Sequence, residues 1–325
     1  MTIAEWSEKI DGAATSIASR VRKTPIERSA WLSDFCGADV FLKLENFQVA
    51  GSFKIRGATH KLLSLSQDQR ARGIVTASSG NHGAAVAHAA ALMGVPVRVY
   101  VPEVATAAKR KKIESLGAEL RVVGSDCVEA EAAARAFGQE RNCEYLSPYN
   151  DASVVAGQGT VGREIIVSDE FQAGSGKASV YAALGGGGLI GGIGAYFKYA
   201  SPESTVIAVS PDQSPAVHVC LETGSWQDVP CYDTLSDATA GGVEENSVTL
   251  PLCREVVDQS ILVTEDEIRD AMRGFFEAHP MMIEGAAGAA IAGLLKNAAR
   301  DDAARRFVVL CGANLAPEVL RTLLG

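Results

Sequence analysis

The chain has 325 residues, of which 47% are hydrophobic, so it can bury a large core, and two domains are the natural expectation. Its net charge of −9 and isoelectric point near 5.2 argue against nucleic acid or an anionic membrane as a partner. The seven cysteines form no CxxC pair and the five histidines no HxxxH pair, which argues against a zinc site. Free thiols and the lack of a signal-peptide pattern predict a cytoplasmic protein.

The first half of the chain alternates strand-like and helix-like segments. Residues 1–20 have the spacing of an amphipathic helix, 39–45 alternate as a strand does, and a helix continues to residue 65. Three strand–helix units follow, with strands at 73–77, 97–101 and 118–123 and helices at 84–93, 105–116 and 128–140. This alternation predicts a parallel sheet covered on both faces. The basic run Lys109–Lys112 is interpreted as a solvated helix face.

A second alternating run begins near residue 147. Its predicted helices are 153–167, a helix from the glycine run to about 198, 214–221, 265–278, 284–296 and a short closing helix, and its strands are 179–184, 205–210 and 306–311. Residues 222–250 are rich in Gly, Pro, Asp and Thr, which is typical of irregular, functional loop. The uncharged run 178–197 is long enough to span a membrane, but its seven glycines favour a strand, a loop and a buried helix.

Three short stretches carry the chemistry. Lys54 follows Gly51-Ser52-Phe53, the polar turn SSGNHG occupies 78–83, and four glycines occupy 185–188. A nucleophilic amine, a polar turn and a phosphate-sized glycine loop are the parts that a pyridoxal phosphate enzyme needs. Taken alone, Lys54 could equally be a solvated residue at a helix start.

The glycine run has a competing interpretation. Gly186-x-Gly188-x-x-Gly191 matches the dinucleotide fingerprint, and Asp212 follows the next strand where a ribose-binding acid would lie. A nicotinamide nucleotide would leave Lys54 and Asn81 without a role, whereas glycines at a helix start also suit a single phosphate. The pyridoxal phosphate interpretation is therefore favoured.

Together, in this order and over about residues 24–314, the motifs resemble the fold type II pyridoxal-phosphate family, in its threonine/serine dehydratase and serine racemase branch. The resemblance implies an α/β fold of two doubly wound domains, as in the tryptophan synthase β architecture, with the cofactor between them. The large domain would comprise 1–70 and 148–325, and the small domain 71–147. It also implies a homo-oligomer, a dimer by family resemblance.

The resemblance also assigns roles to residues. Lys54 would bind the cofactor covalently, with Phe53 against the cofactor ring and Cys311 beside the ring nitrogen. Cofactor phosphate would lie on Gly185, Gly186, Gly187, Gly188 and Leu189. Substrate carboxylate would lie on Ser78, Ser79, Asn81 and His82, with Asn81 also reaching the ring hydroxyl.

The implied reaction is β-elimination of water from a β-hydroxy amino acid, with L-threonine and L-serine as default substrates and a 2-oxo acid and ammonia as products. Lys54 would take the α-proton, and Ser79 would face the opposite side of the substrate. Serine racemase, or a dehydratase of a bulkier substrate such as an arylserine or hydroxyaspartate, stays open, because Ser79 is racemase-like and Gly241 departs from the family's usual aspartate. An inactive cofactor-binding regulator is disfavoured because all three motifs are intact.

Two further expectations concern what this branch member lacks. The racemase metal site begins with a glutamate where this chain has Ser210, and its later ligands are replaced by Ser214 and Ala216. Divalent cations of that type need carboxylate oxygens, so no metal is expected. The short stretch after Gly312 likewise predicts that the C-terminal regulatory domain of feedback-inhibited threonine dehydratases is missing.

Overall fold

A computed structural model describes residues 1–174 and 177–324, which form two open, mostly parallel sheets. Within these residues lie ten strands: β1 Ile26–Arg28, β2 Asp39–Lys43, β3 Ile74–Ala77, β4 Val97–Val101, β5 Glu119–Val122, β6 Glu144–Tyr145, β7 Ala178–Ala183, β8 Thr205–Pro211, β9 Gln259–Val263 and β10 Arg305–Val309. One sheet has the order β1-β2-β10-β7-β8-β9, and the other has the order β5-β4-β3-β6. All neighbours are parallel except β1 and β2.

Helices connect and cover these strands. In the described residues they are α1 Ile3–Ile17, α2 Ala30–Cys36, α3 Lys54–Ser64, α4 Gln67–Arg72, α5 Asn81–Met93, α6 Ala107–Ser115, α7 Cys127–Arg141, α8 Ala152–Ile166, α9 Asp169–Gln172, α10 Gly188–Ala200, α11 Ala216–Thr223, α12 Thr249–Val256, α13 Glu265–Ala278, α14 Gly285–Asn297 and α15 Pro317–Leu324. In this part of the chain no helix is long and apolar enough to cross a membrane.

Each sheet reverses its strand order beside a central strand. In the larger sheet the chain runs outward from β7 through β8 to β9, and β10 then returns to the other side of β7. In the smaller sheet β4 and β5 lie on one side of β3 and β6 on the other. Open α/β sheets bind ligands at the carboxyl ends of strands where the order reverses. The glycine run follows β7, Cys311 follows β10, and the SSGNHG turn follows β3.

The larger core lies around α8 and α10. Both helices have small residues where they cross, and a Cβ on Gly192 would lie 2.6 Å from the carbonyl oxygen of Val155. All six residues of the central strand β7 are buried. A rigid β7 fixes the position from which the glycine run leaves the sheet.

The structure confirms the predicted α/β class and most of the elements. The predicted bounds of α13 and β4 agree with the structure, and most others differ by a few residues. The patterns missed the short elements β1, β6, β9, α2, α4 and α9, and also α12, whose first two residues were assigned to loop. Strands between 74 and 145 form one sheet and all others the second, while the domain boundaries at 70/71 and 147/148 remain a prediction.

Candidate active site

Lys54 is the first residue of α3 and its amine faces the segment that follows β6. The Nζ atom donates a hydrogen bond to the Pro148 carbonyl, 2.9 Å away. Loss of contact with water lowers the pKa of Lys54 to about 8, and this effect outweighs the nearby acidic group of Glu284. At neutral pH a useful fraction of the amine is therefore unprotonated and able to act as a nucleophile.

The start of α3 is tied to the end of β10. Phe53 donates its backbone N–H to the Cys311 carbonyl at 3.0 Å, and Ser52 pairs with Gly312 as an isolated bridge. The Cys311 thiol is buried, and burial raises its pKa well above the usual range, so the thiol is neutral. The fold thus brings Lys54 and Cys311 together, although 257 positions separate them in the sequence.

The glycine run forms the turn between β7 and α10. Gly187 has φ +84°, a left-handed conformation that glycine adopts readily. Within the described chain, the six consecutive backbone amides of residues 185–190 donate no hydrogen bond, because the first helical bond of α10 runs from Gly191 to Gly187. Unsatisfied amides at a helix N-terminus bind anions. The loop can therefore accept a phosphate.

The SSGNHG turn joins β3 to α5. Ser78 donates its amide to the Tyr100 carbonyl and accepts a hydrogen bond from Gly80 on its hydroxyl. The amides of residues 79 and 81–83 have no acceptor among the described residues, so they too can bind an anion such as a carboxylate. The Ser79 hydroxyl is half-buried and likewise has no partner in that part of the chain.

The sequence interpretation missed one buried carboxylate, Glu284, which precedes α14. Asn81 donates its side-chain amide to both carboxylate oxygens, at 2.8 and 3.0 Å, and the Asn314 backbone donates at 3.1 Å. The Cys311 thiol lies 3.9 Å from the same carboxylate. Burial raises the pKa of Glu284 to about 7, although the Asn81 bonds oppose this shift. The only sequence signal was a lone acid before a Gly/Ala-rich helix.

The segment 147–150 connects the lysine to the glycine run. The Tyr149 ring packs directly beneath Gly186, where a Cβ would collide with its ring carbons. His82 turns its ring toward the same segment and bonds the Leu146 carbonyl at 2.9 Å through Nε2. Burial lowers the pKa of His82 to about 3, so the ring is neutral. At His82 the group free to meet an anion is therefore the backbone amide rather than a charged ring.

The positions compared with the racemase metal site have other partners. Ser210 donates its hydroxyl to the Leu184 carbonyl at 3.1 Å, and Ser214 accepts a hydrogen bond from the Gly241 amide at 3.0 Å. Across residues 1–174 and 177–324, no group of three or more His, Cys, Asp or Glu side chains is arranged to hold a metal ion.

The run Lys109–Lys112 lies on a largely exposed face of α6, as expected, and two of its lysines also have partners. Lys109 lies 3.1 Å from Asp237, and Lys112 donates to the Asn314 side chain at 2.6 Å. Both partners belong to segments packed around the larger sheet. These lysines therefore join α6 to the rim of the candidate site.

The residues present fit pyridoxal phosphate. The buried Ser52 hydroxyl beside Lys54 has no partner within the described chain, and the free amides of the glycine run leave room for an anion at the carboxyl end of β7. The model of the family described as "Pyridoxal-phosphate dependent enzyme" matches residues 17–312. The chain belongs to this family. It accordingly has the architecture of the fold type II pyridoxal-phosphate enzymes.

Three individual proteins show which enzymes this chain is similar to. The L-threonine ammonia-lyase of Geobacter sulfurreducens is 36% identical over 307 residues, covering 94% of this chain and 75% of that protein. Among solved structures, the T.th. threonine deaminase has a TM-score of 0.87 and 31% identity, covering 95% of this chain and 98% of that one. Maize serine racemase has a TM-score of 0.89 and 28% identity, covering 97% and 95%.

Proposed function

We propose that this family member is an ammonia-lyase that removes water from L-threonine or L-serine and yields a 2-oxo acid and ammonia. The observation that carries the proposal is the position of the Lys54 amine, bonded to Pro148 next to the tyrosine that supports the phosphate-sized glycine loop. Similarity to L-threonine ammonia-lyases supports the substrate class.

Each group of the site has a distinct task in this proposal. When bound, pyridoxal phosphate stabilises the negative charge that develops at the substrate α-carbon. Lys54 holds the cofactor and, once released, takes the α-proton, which its lowered pKa allows near neutral pH. Cys311 would lie beside the ring nitrogen, where its neutral thiol would be only a weak hydrogen-bond donor.

In this proposal, backbone amides bind both anions, the cofactor phosphate and the substrate carboxylate. The amides of 185–190 would bind the cofactor phosphate, with Gly185, Gly186, Gly187, Gly188 and Leu189 as the proposed contacts. The turn at Ser78, Ser79, Asn81 and His82 would bind the substrate carboxylate, and Phe53 would border the ring. Glu284 joins this set, because it fixes the Asn81 side chain at the point where Asn81 would meet the ring hydroxyl.

Ammonia release from the cofactor-loaded protein tests the proposal. We expect release from L-threonine or L-serine, and we expect Lys54→Ala to lower turnover by about a thousandfold or more, since one group serves as nucleophile and base. Lys9→Ala, at an exposed position of α1, is the matched control and should leave turnover unchanged. Reductive trapping with borohydride and peptide mapping should place the cofactor on Lys54. An adduct on another lysine would contradict the assignment.

Serine racemase is a second candidate, favoured by the Ser79 hydroxyl, which has no partner among the described residues. Racemisation needs a proton donor on the face opposite Lys54, whereas elimination does not. We expect elimination to dominate and Ser79→Ala to abolish a minor racemase activity while largely sparing elimination. Chiral chromatography of the serine that remains after partial turnover distinguishes a racemase from an ammonia-lyase. Racemisation faster than pyruvate formation would identify the protein as a racemase.

A third question is which side chain of the substrate the site prefers. Gly241, which stands where the family usually has an aspartate, is exposed and brings no carboxylate to this part of the loop. Bulkier β-hydroxy amino acids, such as arylserines and hydroxyaspartate, therefore belong in the same ammonia-release screen.

We also infer from the family resemblance that the protein is a cytoplasmic homodimer whose segment 71–147 is a separate domain. Light scattering of the purified protein tests the dimer: a mass near 34.0 kDa, that of one chain, would contradict it. Fractionation of the source cells tests the location.

A further inference from the structure

Helix α12 lies directly against the glycine run, although no sequence pattern assigned it a role. Thr249 donates its hydroxyl to the Gly186 carbonyl at 2.7 Å, and the Cys253 thiol donates to the Gly187 carbonyl at 3.5 Å. Both side chains are completely buried. They are four positions apart and so share one face of the helix. Two adjacent carbonyls of the loop are thus held by side chains of one helix.

Because each peptide unit is planar and trans, a contact that holds its carbonyl also fixes the direction of its amide. The C=O and N–H of one planar peptide unit point in opposite directions. Holding the Gly186 carbonyl toward α12 therefore directs the Gly187 amide away from α12. The Gly187 carbonyl and the Gly188 amide are related in the same way. Neither amide has an acceptor within the described residues.

A run of four glycines needs such support because glycine has the widest backbone freedom of any residue. Unsupported, the loop would lose conformational entropy on binding an anion, and affinity would fall accordingly. Contact with α12 is also close: a Cβ on Gly187 would lie 2.8 Å from the Cys253 sulfur. These contacts therefore restrict the backbone freedom of the glycine run.

We propose that Thr249 and Cys253 are positioning residues that aim the Gly187 and Gly188 amides at the cofactor phosphate. The inference rests on the proposed function, because it requires that the glycine run binds this phosphate. If the proposal is right, substituting either residue should weaken the binding of a ligand that carries the phosphate more than the binding of one that lacks it. If the two residues only pack the core, substitution should weaken the binding of both ligands equally.

The experiment titrates the apoenzyme with pyridoxal phosphate and with pyridoxal, which lacks the phosphate, and compares the two dissociation constants. Thr249→Val keeps the shape and removes the donor, and we expect it to weaken pyridoxal phosphate binding about tenfold with little change for pyridoxal. Thr249→Ser restores the hydroxyl and should restore most of the affinity. Cys253→Ala should show a smaller loss of the same kind, because thiols are weak donors.

Cys220→Ala is the matched control. Cys220 is equally buried, but its sulfur contacts the Gln227 backbone and not the glycine run, so the ratio of the two constants should stay at the wild-type value. Equal losses for both ligands in Thr249→Val, or no loss, would overturn the proposal. If Thr249→Val does not fold, the ratio of the two dissociation constants measured for Cys253→Ala tests the proposal instead. Wild-type protein that binds neither ligand would instead refute the proposed function.

Discussion

Lys54 illustrates how burial prepares one residue for reaction. Loss of water contact lowers the pKa of Lys54 to about 8, although the neighbouring Glu284 favours the charged ammonium. A lysine in water has a pKa of about 10.4. The amine is thus much more available at neutral pH than that of an exposed lysine.

This pKa predicts a pH dependence for cofactor capture. Since only the unprotonated amine attacks, the rate at which the apoenzyme takes up pyridoxal phosphate should rise about tenfold per pH unit below the Lys54 pKa and level off above pH about 8. Stopped-flow absorbance measures the rate. Nα-acetyl-lysine is the control, and its rate should continue to rise to about pH 10. A protein profile that follows the control would contradict the lowered pKa.

Glu284 predicts a pH dependence of stability. Its pKa in the folded chain is raised to about 7 from a usual 4.5, so the folded state binds more protons between these values. This contribution, up to about 3 kcal/mol, is present below pH 4.5 and is lost as pH rises through 7. Denaturant unfolding of the apoprotein should therefore show a smaller decline between pH about 5 and about 8 in Glu284→Gln than in wild type. Glu8→Gln, exposed on α1, should decline as wild type does.

At the scale of single elements, the loop between β7 and α10 combines an unusual backbone with a close neighbour. Gly187 has a positive φ, and α12 leaves no space for a side chain there. Any substitution must therefore distort both the turn and the helix beneath it.

Gly187→Ala should consequently reduce cofactor affinity by at least about tenfold, because strain of about 1–3 kcal/mol would displace the free amides. Equilibrium dialysis of pyridoxal phosphate measures the change. Gly12→Ala, in the middle of α1 with nothing within 4 Å of the added Cβ, should leave affinity unchanged and slightly increase stability. Unaltered affinity in Gly187→Ala would contradict phosphate binding by this loop.

Sequence patterns are reliable for elements whose signals are local. Helix α13 begins after Thr264 with a capping box and has its predicted bounds, and β4 is a β-branched run ended by Pro102. Helix α12 was not predicted at all, and its first two residues lie in a segment whose many turn residues predicted loop. Glu284 was missed as a site residue for a different reason: its partner Asn81 is 203 positions away, and no local pattern encodes that contact.

At the scale of the whole molecule, Glu244 makes several of the contacts that hold the long loop 224–248 against the segment between the sheets, and the Val248 amide adds a bond to the Asn150 side chain at 2.9 Å. Glu244 accepts from Arg135 on α7 and from the Asn150 side chain, each at 3.0 Å, and its amide donates to the Tyr149 hydroxyl at 3.1 Å. Exposed ion pairs contribute little to global stability. Their effect here is local, since they fix the loop beside the candidate site.

Glu244→Ala should therefore change global stability little but speed limited proteolysis within the loop, because local opening becomes easier. Cleavage sites are read by mass spectrometry. Glu245→Ala is the matched control, since this neighbour has no side-chain hydrogen bond or ion pair among the described residues. Equal proteolysis of the two variants would show that Glu244 does not hold the loop.

The order of strands in the larger sheet also constrains how the protein is made. The small sheet uses only residues 74–145, so its strands can pair soon after they leave the ribosome. In contrast, β2 has its parallel partner in β10, and the backbone beside Lys54 is held by Cys311, which is synthesised 257 residues later. Such distant pairings form late. A growing chain therefore has no complete cofactor site until β10 and Cys311 have been synthesised.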